Sequence, residues 1–352
     1  MNEPLSPTLN RNNLLLEVSE LFKYFPIKEG LFSRTIGQVR AVDGVTFSIR
    51  RGETLGLVGE SGCGKSTVGR TVLKLMNPTS GKIKLGDRDI THLNRAQMRP
   101  LRREMQLIFQ DPFSSLNPRM TAGAIVGEPL ALHDAGSRTQ SRERVIEVFE
   151  RCGLRPELVA DFPHLFSGGQ RQRIGIARAL ALQPKFIVCD EAVSALDVSI
   201  RAQIMNLLMD LQKEHGLTYL LIAHHLATVR YMCDKIGVMY LGHMVEEATT
   251  DELFDNPTHP YTQALIGAAL PYHPDDEKEE SILEGEVPSP IDPPSCCSYI
   301  PNCPETFAEC NDNVVATKTV SPGHTVGHCA HCVDHYGCYW FPRVNPNIER
   351  NQ

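Results

Sequence analysis

The sequence lacks the features of a membrane-spanning or exported protein. No stretch approaches the ~20 apolar residues of a transmembrane helix, and the polar start MNEPLSPTLNRNN has no apolar core of a signal peptide. An excess of positive charge is also missing, because 35 basic and 42 acidic residues give a net charge of -7, which argues against a nucleic-acid partner. We therefore expect a cytosolic protein, in a compartment that keeps thiols reduced.

Cysteine is sparse along most of the chain and dense near its end. Seven of the 11 cysteines follow residue 295, and four of them lie in CCSYIPNCPETFAEC, residues 296–310. In a reducing compartment such a cluster does not predict a disulfide framework. Clustered thiolates there more often bind a metal.

Strand and helix patterns alternate along the chain, which predicts an α/β fold with a parallel sheet. Residues 14–58 form short apolar runs, the last of them a buried strand over Leu55–Val58. KFIVCDE and LTYLLIAHH predict further buried strands, and VSIRAQIMNLLMDLQKEHG predicts an amphipathic helix that ends at Gly216. Past residue 270 the chain becomes proline-rich, acidic and then cysteine-rich, which marks a separate appendage. Its 352 residues suggest about two domains.

GESGCGKST, residues 59–67, fits the phosphate-loop pattern G-x-x-x-x-G-K-[ST] and lies between a predicted strand and a predicted helix. The glycines let backbone N–H groups point at phosphate oxygens, and the helix N-terminus favours their negative charge. Lys65 supplies a charge for the β- and γ-phosphates, and Ser66 a hydroxyl for Mg²⁺. Cys63 is either a small filler or an acidified redox thiol. The predicted nucleotide-binding residues of this loop are Gly59, Glu60, Ser61, Gly62, Cys63, Gly64, Lys65, Ser66 and Thr67.

An acidic pair ends the predicted strand in FIVCDE. In this fold class the carboxyl end of a buried strand lies beside the phosphate loop. Asp190 is then placed to hold Mg²⁺ through water. Glu191 is placed to orient or deprotonate the attacking water.

FSGGQRQRIGIARAL predicts a second helix whose N-terminus suits phosphate. Ser167 is a suitable N-cap, and two glycines leave the first amides bare. One nucleotide needs two such helix ends only if two chains sandwich it. The residues of this predicted second contact are Ser167, Gly168, Gly169 and Gln170.

With these motifs the chain resembles the ABC ATPases over roughly residues 14–250. It carries the family's motifs in order: the Walker A loop, a Q-loop glutamine at Gln110 in LIFQDP, the signature at Ser167, the Walker B acids, a D-loop over Ser194–Asp197, and a switch histidine at His224 in IAHH. The resemblance implies an α/β P-loop NTPase with a helical subdomain at about 111–180. The family often has Pro at position 192 and Asp at 225, where this chain has Ala and His, and neither change removes a catalytic group.

The resemblance also implies a mechanism. Two such domains bind head to tail, and each ATP lies between one Walker A loop and the partner's signature and D-loop, which includes Asp197. Gln110 senses Mg²⁺ and the membrane subunit, His224 contacts the γ-phosphate, and Ser66 and Asp190 complete the Mg²⁺ site. Phe25 is expected to stack on adenine, with Tyr24 as the alternative. We therefore expect a hydrolytic site.

Several segments resemble ATP-binding subunits of oligopeptide/dipeptide importers: RAVDGVTF, FQDPFSSLNPRM, NPTHPYTQALIGAALP and LEGEVPSPIDPPS. The resemblance implies an ATPase domain over 1–255 and a C-terminal extension over 256–352. It also implies import of peptides, nickel or a related solute. The implied partners are a homologous ATPase subunit or a second copy, two transmembrane permease subunits and, indirectly, an extracytoplasmic solute-binding protein. The chain would then lie at the cytoplasmic face of the membrane.

Two other functions remain open at this point. Some ATPases of this branch serve enzyme complexes such as phosphonate carbon–phosphorus lyase, and a regulatory module would bind ATP without turnover. The filled catalytic positions argue against the second alternative. HPYT, residues 259–262, argues against the first.

The cysteine spacing resembles the tail of peptide-importer ATPases, in which four thiolates hold a [4Fe–4S] cluster in some members. The implied ligands are Cys297, Cys303, Cys310 and Cys329, although GHTVGHC carries one residue more than the family pattern. Cys296 or Cys332 is therefore an alternative ligand. Zinc is the rival metal, because CAHC, residues 329–332, is a zinc-type pair, and a tail without metal is the third possibility. We expect any metal to order the tail and to leave nucleotide affinity unchanged.

Overall fold

The computed structural model describes residues 13–29, 34–133, 136–194, 196–269, 297–303 and 315–329, with 289, 291 and 293. Within them the strands are β1 (Leu14–Glu29), β2 (Arg34–Arg50), β3 (Thr54–Val58), β4 (Ser80–Leu85), β5 (Arg88–Asp89), β6 (Met105–Ile108), β7 (Phe186–Asp190), β8 (Thr218–Ile222), β9 (Lys235–Tyr240), β10 (His243–Thr249), β11 (Val315–Ser321) and β12 (His324–Cys329). The helices are α1 (Lys65–Val72), α2 (Arg95–Leu101), α3 (Pro112–Ser115), α4 (Ala122–Leu132), α5 (Arg138–Arg151), α6 (Gly168–Leu180), α7 (Val198–His215), α8 (Leu226–Met232), α9 (Thr250–Asp255) and α10 (Pro260–Ala269). No helix among the described residues is long and apolar enough to cross a membrane.

Among the described residues, the larger sheet has eight strands in the order β11-β12-β10-β9-β3-β8-β7-β6. Strands β9, β3, β8, β7 and β6 run parallel, and β10, β12 and β11 extend the sheet antiparallel. Every residue of β3, β7 and β8 is buried, as expected for strands that are covered on both faces. The predicted parallel sheet is therefore confirmed.

The predicted helix before Gly216 is confirmed as α7. Gly216 lies at its C-cap with φ 63°, a left-handed conformation that glycine adopts without steric cost. Helix α1 also begins at Lys65 as predicted and stops at Val72. The chain turns just beyond it, where Lys74 has φ 55°.

Residues 14–29 and 34–50 differ from the predicted short apolar runs separated by turns. They form two long paired strands, β1 and β2, in a smaller antiparallel sheet of order β2-β1-β4-β5. Register shifts interrupt the β1–β2 pairing between Val18 and Lys23, and Glu20 has φ 47°. Bulges thus absorb the residues that break the alternation, and the strands continue through them.

In the part of the chain that the structure describes, two apolar clusters fill the interior. One joins the smaller sheet, α1 and one face of the larger sheet. The other joins the opposite face to α4, α5 and α6 of the predicted helical subdomain and includes Tyr261 and Tyr299 from beyond residue 255. The larger sheet therefore lies between the two clusters, with one cluster on each of its faces.

The described part of the C-terminal extension is attached to the larger sheet, because β12 pairs with β10. Buried His324 and Glu246 fasten it, with 2.7 Å between Nε2 and Oε1. The other His324 nitrogen, Nδ1, lies 3.3 Å from Glu252 Oε1. The same Glu246 carboxylate accepts hydrogen bonds from the backbone N–H groups of Thr258 and His259.

Candidate functional site

The loop between β3 and α1 curls tightly against the neighbouring backbone. Gly59 has φ 143° and Gly64 has φ 106°. A Cβ at Gly59 would lie 2.1 Å from the carbonyl oxygen of Met239, and one at Gly64 would lie 2.0 Å from that of Ala41. Both glycines are therefore required by backbone conformation and by close approach.

Lys65 is 4% exposed and folds back over its own loop. Its Nζ donates to the carbonyl oxygens of Gly59 at 2.8 Å and Glu60 at 2.7 Å. The ammonium group is thus held within the curl of the loop. Burial raises the pKa of the nearby Cys63 thiol, which favours the filler interpretation over the redox one.

Ser66 and Asp190 meet across the sheet edge. The Ser66 hydroxyl donates to Asp190 Oδ1 at 2.6 Å, and Arg70 Nη2 lies 3.5 Å from the other carboxylate oxygen. Asp190 is the last residue of β7 and is 2% exposed. A hydroxyl and a carboxylate side by side are the oxygen ligands that Mg²⁺ prefers.

Glu191 lies at the centre of a second polar group. Its Oε2 accepts a hydrogen bond from Gln110 Nε2 at 2.7 Å and lies 3.6 Å from His224 Nδ1. The backbone N–H of Glu191 donates to the carbonyl oxygen of Ile222, and its φ of 48° is uncommon for a residue other than glycine. Such conformations cluster at functional sites, where they aim a side chain.

Four adjacent strands therefore deliver the predicted groups to one edge of the sheet. The phosphate loop follows β3, and His224 follows β8. Asp190 ends β7, Glu191 comes directly after it, and Gln110 follows β6. Because the strands are parallel, their carboxyl ends lie along the same edge, where ligands bind in open α/β sheets. The sequence motifs predicted these residues, and the strand order brings them together.

The signature residues lie at the N-terminus of α6. Ser167 is its N-cap, and its hydroxyl accepts from the backbone N–H of Gln170 while the Gln170 side chain accepts from the Ser167 N–H. Ser167 is exposed, Gly168 is half-buried and Gly169 is buried. The predicted capping is confirmed. Asp197 of the D-loop is exposed and precedes α7 as its N-cap residue.

The aromatic candidates for adenine stacking differ in their environments. Phe25 is 37% exposed, with Lys23 Nζ 4.9 Å from its ring centroid. Tyr24 is half-buried, and its hydroxyl donates to Asp43 at 2.6 Å. Phe25 also pairs in register with Val39 of β2. Val39 lies two residues before Ala41, whose carbonyl oxygen lies close to Gly64 of the phosphate loop. The exposed ring favours Phe25.

One contact with the phosphate loop was not predicted from the sequence. The backbone N–H of Glu60 donates to the Tyr261 hydroxyl at 2.9 Å, across 201 positions of sequence. Tyr261 belongs to HPYT, which served only as a family marker. Nothing in the local pattern signals this contact, because it depends on how the extension packs.

The cysteine-rich segment is described only in part. Cys297 and Cys303 are half-buried and pack against the apolar core. Cys310 and the side chain of Cys329 lie outside the described residues. Within the described part of the chain, no group of three or more His, Cys, Asp or Glu could hold a metal. Tyr299, within the described residues 297–303, lies against Tyr261, with 5.6 Å between ring centroids.

Comparison with known proteins gives a consistent result. Residues 42–194 match the ABC transporter family, and residues 245–310 match the C-terminal region of oligopeptide/dipeptide transporters. The oligopeptide transport ATP-binding protein AppF of Bacillus subtilis is 49% identical, covering 91% of this chain and 98% of AppF. The oligopeptide transport ATP-binding protein OppF of Escherichia coli is 51% identical, covering 84% and 90%.

Solved structures that resemble this chain also belong to ABC transporters. The cbiO1 protein of Clostridium perfringens, part of the ABC transporter complex cbiONQ, is 29% identical with a TM-score of 0.60, over 69% of this chain and 92% of cbiO1. The ATP-binding cassette MJ0796, in a dimeric post-hydrolysis state bound to ADP and Pi, is 28% identical with a TM-score of 0.60, over 67% and 99%. This chain therefore belongs to the ATP-binding subunits of ABC transporters, in the oligopeptide/dipeptide transporter family.

Proposed function

We propose that this chain hydrolyses ATP to power the import of peptides through a membrane permease. The observation that carries the proposal is the convergence of the phosphate loop, Asp190, Glu191, His224 and Gln110 on the ends of four adjacent strands. The relatives named as oligopeptide transport proteins support peptides as the cargo. The match over residues 245–310 favours import over a role in a carbon–phosphorus lyase complex.

The phosphate loop fits a nucleotide. Gly59 and Gly64 leave no room for side chains, so the loop keeps the tight curl in which amides at a helix N-terminus can approach phosphate oxygens. Lys65 would leave its carbonyl partners for the β- and γ-phosphates. Ser66, Asp190 and Gln110 would hold Mg²⁺, which neutralises phosphate charge when bound. Phe25 would stack on the adenine.

We assign the proton-handling role to Glu191. Its carboxylate lies between Gln110 and His224, so both neighbours hold it at the strand end. It would orient the attacking water and accept its proton. His224 would contact the γ-phosphate as a hydrogen-bond donor and help align it with that water.

Two copies of such a cassette would complete the site. The exposed N-terminus of α6, with Ser167 to Gln170, would face the γ-phosphate bound by the partner cassette, next to Asp197. The dimeric structure of the cassette MJ0796 supports the pairing of two cassettes. The partner would be a homologous ATPase subunit or a second copy of this chain. The pair would lie against two permease subunits at the cytoplasmic face of the membrane, with a solute-binding protein acting on the far side.

We also propose the domain division predicted from the sequence. An ATPase domain would cover residues 1–255, with its helical subdomain at about 111–180, and an extension would cover 256–352.

Glu191→Gln tests the catalytic assignment. It removes the base but keeps the shape of the side chain, so turnover should fall roughly 10²- to 10⁴-fold while MgATP still binds. Lys65→Ala should weaken nucleotide binding itself, which separates the two roles. Near-normal ATPase activity in Glu191→Gln would contradict the role of Glu191. Purification with soluble enzyme subunits, and without hydrophobic permease subunits, would favour the lyase alternative.

For the cysteine-rich tail we propose a metal site that uses Cys297, Cys303, Cys310 and Cys329, with either a [4Fe–4S] cluster or zinc. Its support is the thiol spacing and the placement of Cys297 and Cys303 on either side of a short helical turn over Ile300–Asn302. Anaerobic purification with metal analysis decides: iron with sulfide indicates the cluster, and one zinc per chain indicates zinc. Neither metal in protein made under replete conditions would contradict the site.

A further inference from the structure

Tyr261 connects the C-terminal extension to the phosphate loop. It lies in the first turn of α10 and is fully buried. Its hydroxyl accepts the hydrogen bond from the backbone N–H of Glu60 at 2.9 Å. Glu60 directly follows Gly59, so this bond fixes the entry of the loop that would wrap the phosphates.

Aromatic rings on two sides hold the Tyr261 ring in place. Tyr240, at the end of β9, lies 4.8 Å away between ring centroids, and Tyr299 from the tail lies 5.6 Å away. Tyr240 and Tyr299 also contact each other edge to face at 5.3 Å. The backbone N–H of Tyr261 donates to His259 Nδ1 at 3.1 Å. The ring therefore has little freedom to withdraw its hydroxyl from Glu60.

The chemistry of the hydroxyl suits this role. Burial raises the pKa of Tyr261 above its ordinary value, so the group stays neutral and protonated. A neutral hydroxyl accepts the Glu60 N–H without placing a negative charge beside the phosphate loop.

We propose that Tyr261 is a positioning residue for ATP: its hydroxyl fixes the Glu60 amide, and the tail residue Tyr299 holds the ring that carries it. The proposal rests on the proposed function, because it takes the phosphate loop as the ATP site. It means that the extension acts on nucleotide affinity, in addition to any contact with a transporter partner.

Tyr261→Phe separates positioning from packing. The ring and its aromatic contacts remain, but the Glu60 N–H loses its hydrogen-bond acceptor. The phosphate loop then relaxes until this N–H finds another acceptor. ATP must then restore the original loop, so its affinity falls. We expect MgATP to bind about 5- to 150-fold more weakly, which is the range for an unsatisfied buried donor. The maximal turnover should change little, because Glu191 and its neighbours are untouched.

Tyr240→Phe is the matched control. It removes a hydroxyl from the same buried cluster, but that hydroxyl accepts from the Asn302 side chain at 3.3 Å, whereas the acceptor of the Glu60 N–H is Tyr261. A residue that acts only through stability would lower the active fraction, and thus the apparent kcat, without raising KM. A positioning residue raises KM and Kd at constant kcat.

The experiment measures MgATP Kd, KM and kcat for the full wild-type chain, Tyr261→Phe, Tyr240→Phe and Lys65→Ala, together with amide hydrogen exchange across residues 55–64. We expect Tyr261→Phe to raise the Kd and KM for MgATP and to speed amide hydrogen exchange across residues 55–64. We expect Tyr240→Phe to change none of these. Equal Kd in wild type and Tyr261→Phe, or an equal rise in Tyr240→Phe, would overturn the proposal and leave the proposed function intact. A wild-type chain without MgATP affinity, or Lys65→Ala with full affinity, would overturn the assignment of the ATP site and this inference with it.

Discussion

Replacing His324 with leucine should detach the C-terminal hairpin, β11–β12, from the core. His324 is 1% exposed, and its Nε2 lies 2.7 Å from a carboxylate oxygen of Glu246, itself 1% exposed. Leucine fills similar space but leaves that oxygen with one partner fewer. Removing one member of a buried ion pair costs about 3–5 kcal/mol, so the equilibrium for local opening of the hairpin should rise by roughly two to four orders of magnitude.

The attachment should also depend on pH. Burial alone would lower the pKa of His324, but the hydrogen bonds and charges of Glu246 and Glu252 outweigh it and raise the pKa. A histidine whose folded pKa is raised contributes its full stabilisation below the unfolded value of about 6.5. That contribution is lost as the pH rises through the folded pKa. The wild-type hairpin should therefore loosen above about pH 6.5, and the leucine variant should show no such change.

Hydrogen exchange of residues 315–329, corrected for intrinsic rates, measures both effects. Val320→Thr is the control, because Val320 lies on the same hairpin and is 50% exposed. Equal protection in His324→Leu and wild type, or wild-type protection that increases from pH 6.5 to 8, would refute the reasoning.

Two further predictions concern the nucleotide site. Ser167→Arg should keep MgATP binding to the chain's own phosphate loop yet abolish turnover, as measured by nucleotide binding and steady-state ATPase assays. Ser137→Arg, which breaks the same kind of capping box at α5, is the control and should stay active. Loss of activity in both variants would mean that the Ser167→Arg defect comes from the lost helix cap and not from the partner's nucleotide site. Phe25→Ala should weaken MgATP binding about fivefold, the worth of one stacking contact. A larger loss in Tyr24→Ala than in Phe25→Ala would reverse the assignment.

Local sequence determined the chemistry of the site. The phosphate loop is encoded within nine consecutive residues, because its glycines, lysine and serine act through the backbone of one turn. The acids Asp190 and Glu191 follow directly from the end of a buried apolar run, and Ser167 follows from the rules of helix capping. These signals operate over a few residues, so a single chain reveals them without any knowledge of the fold.

Tertiary structure decided which of these groups touch. The hydrogen bond between Gln110 and Glu191 needs β6 next to β7, and the contact of Glu191 with His224 needs β7 next to β8. The antiparallel continuation of the sheet and the bulged β1–β2 pair were not predicted, because strand partners and register depend on residues far apart in sequence.

The C-terminal extension shows most clearly that local sequence patterns do not predict contacts between residues far apart in the chain. Its sequence suggested an appendage, yet Tyr261 reaches Glu60 and His324 reaches Glu246 across 201 and 78 positions. No local periodicity encodes such pairs. They form because burying aromatic and charged side chains requires each hydroxyl, imidazole and carboxylate to find a partner in the packed interior, and only the complete fold determines which partner is within reach.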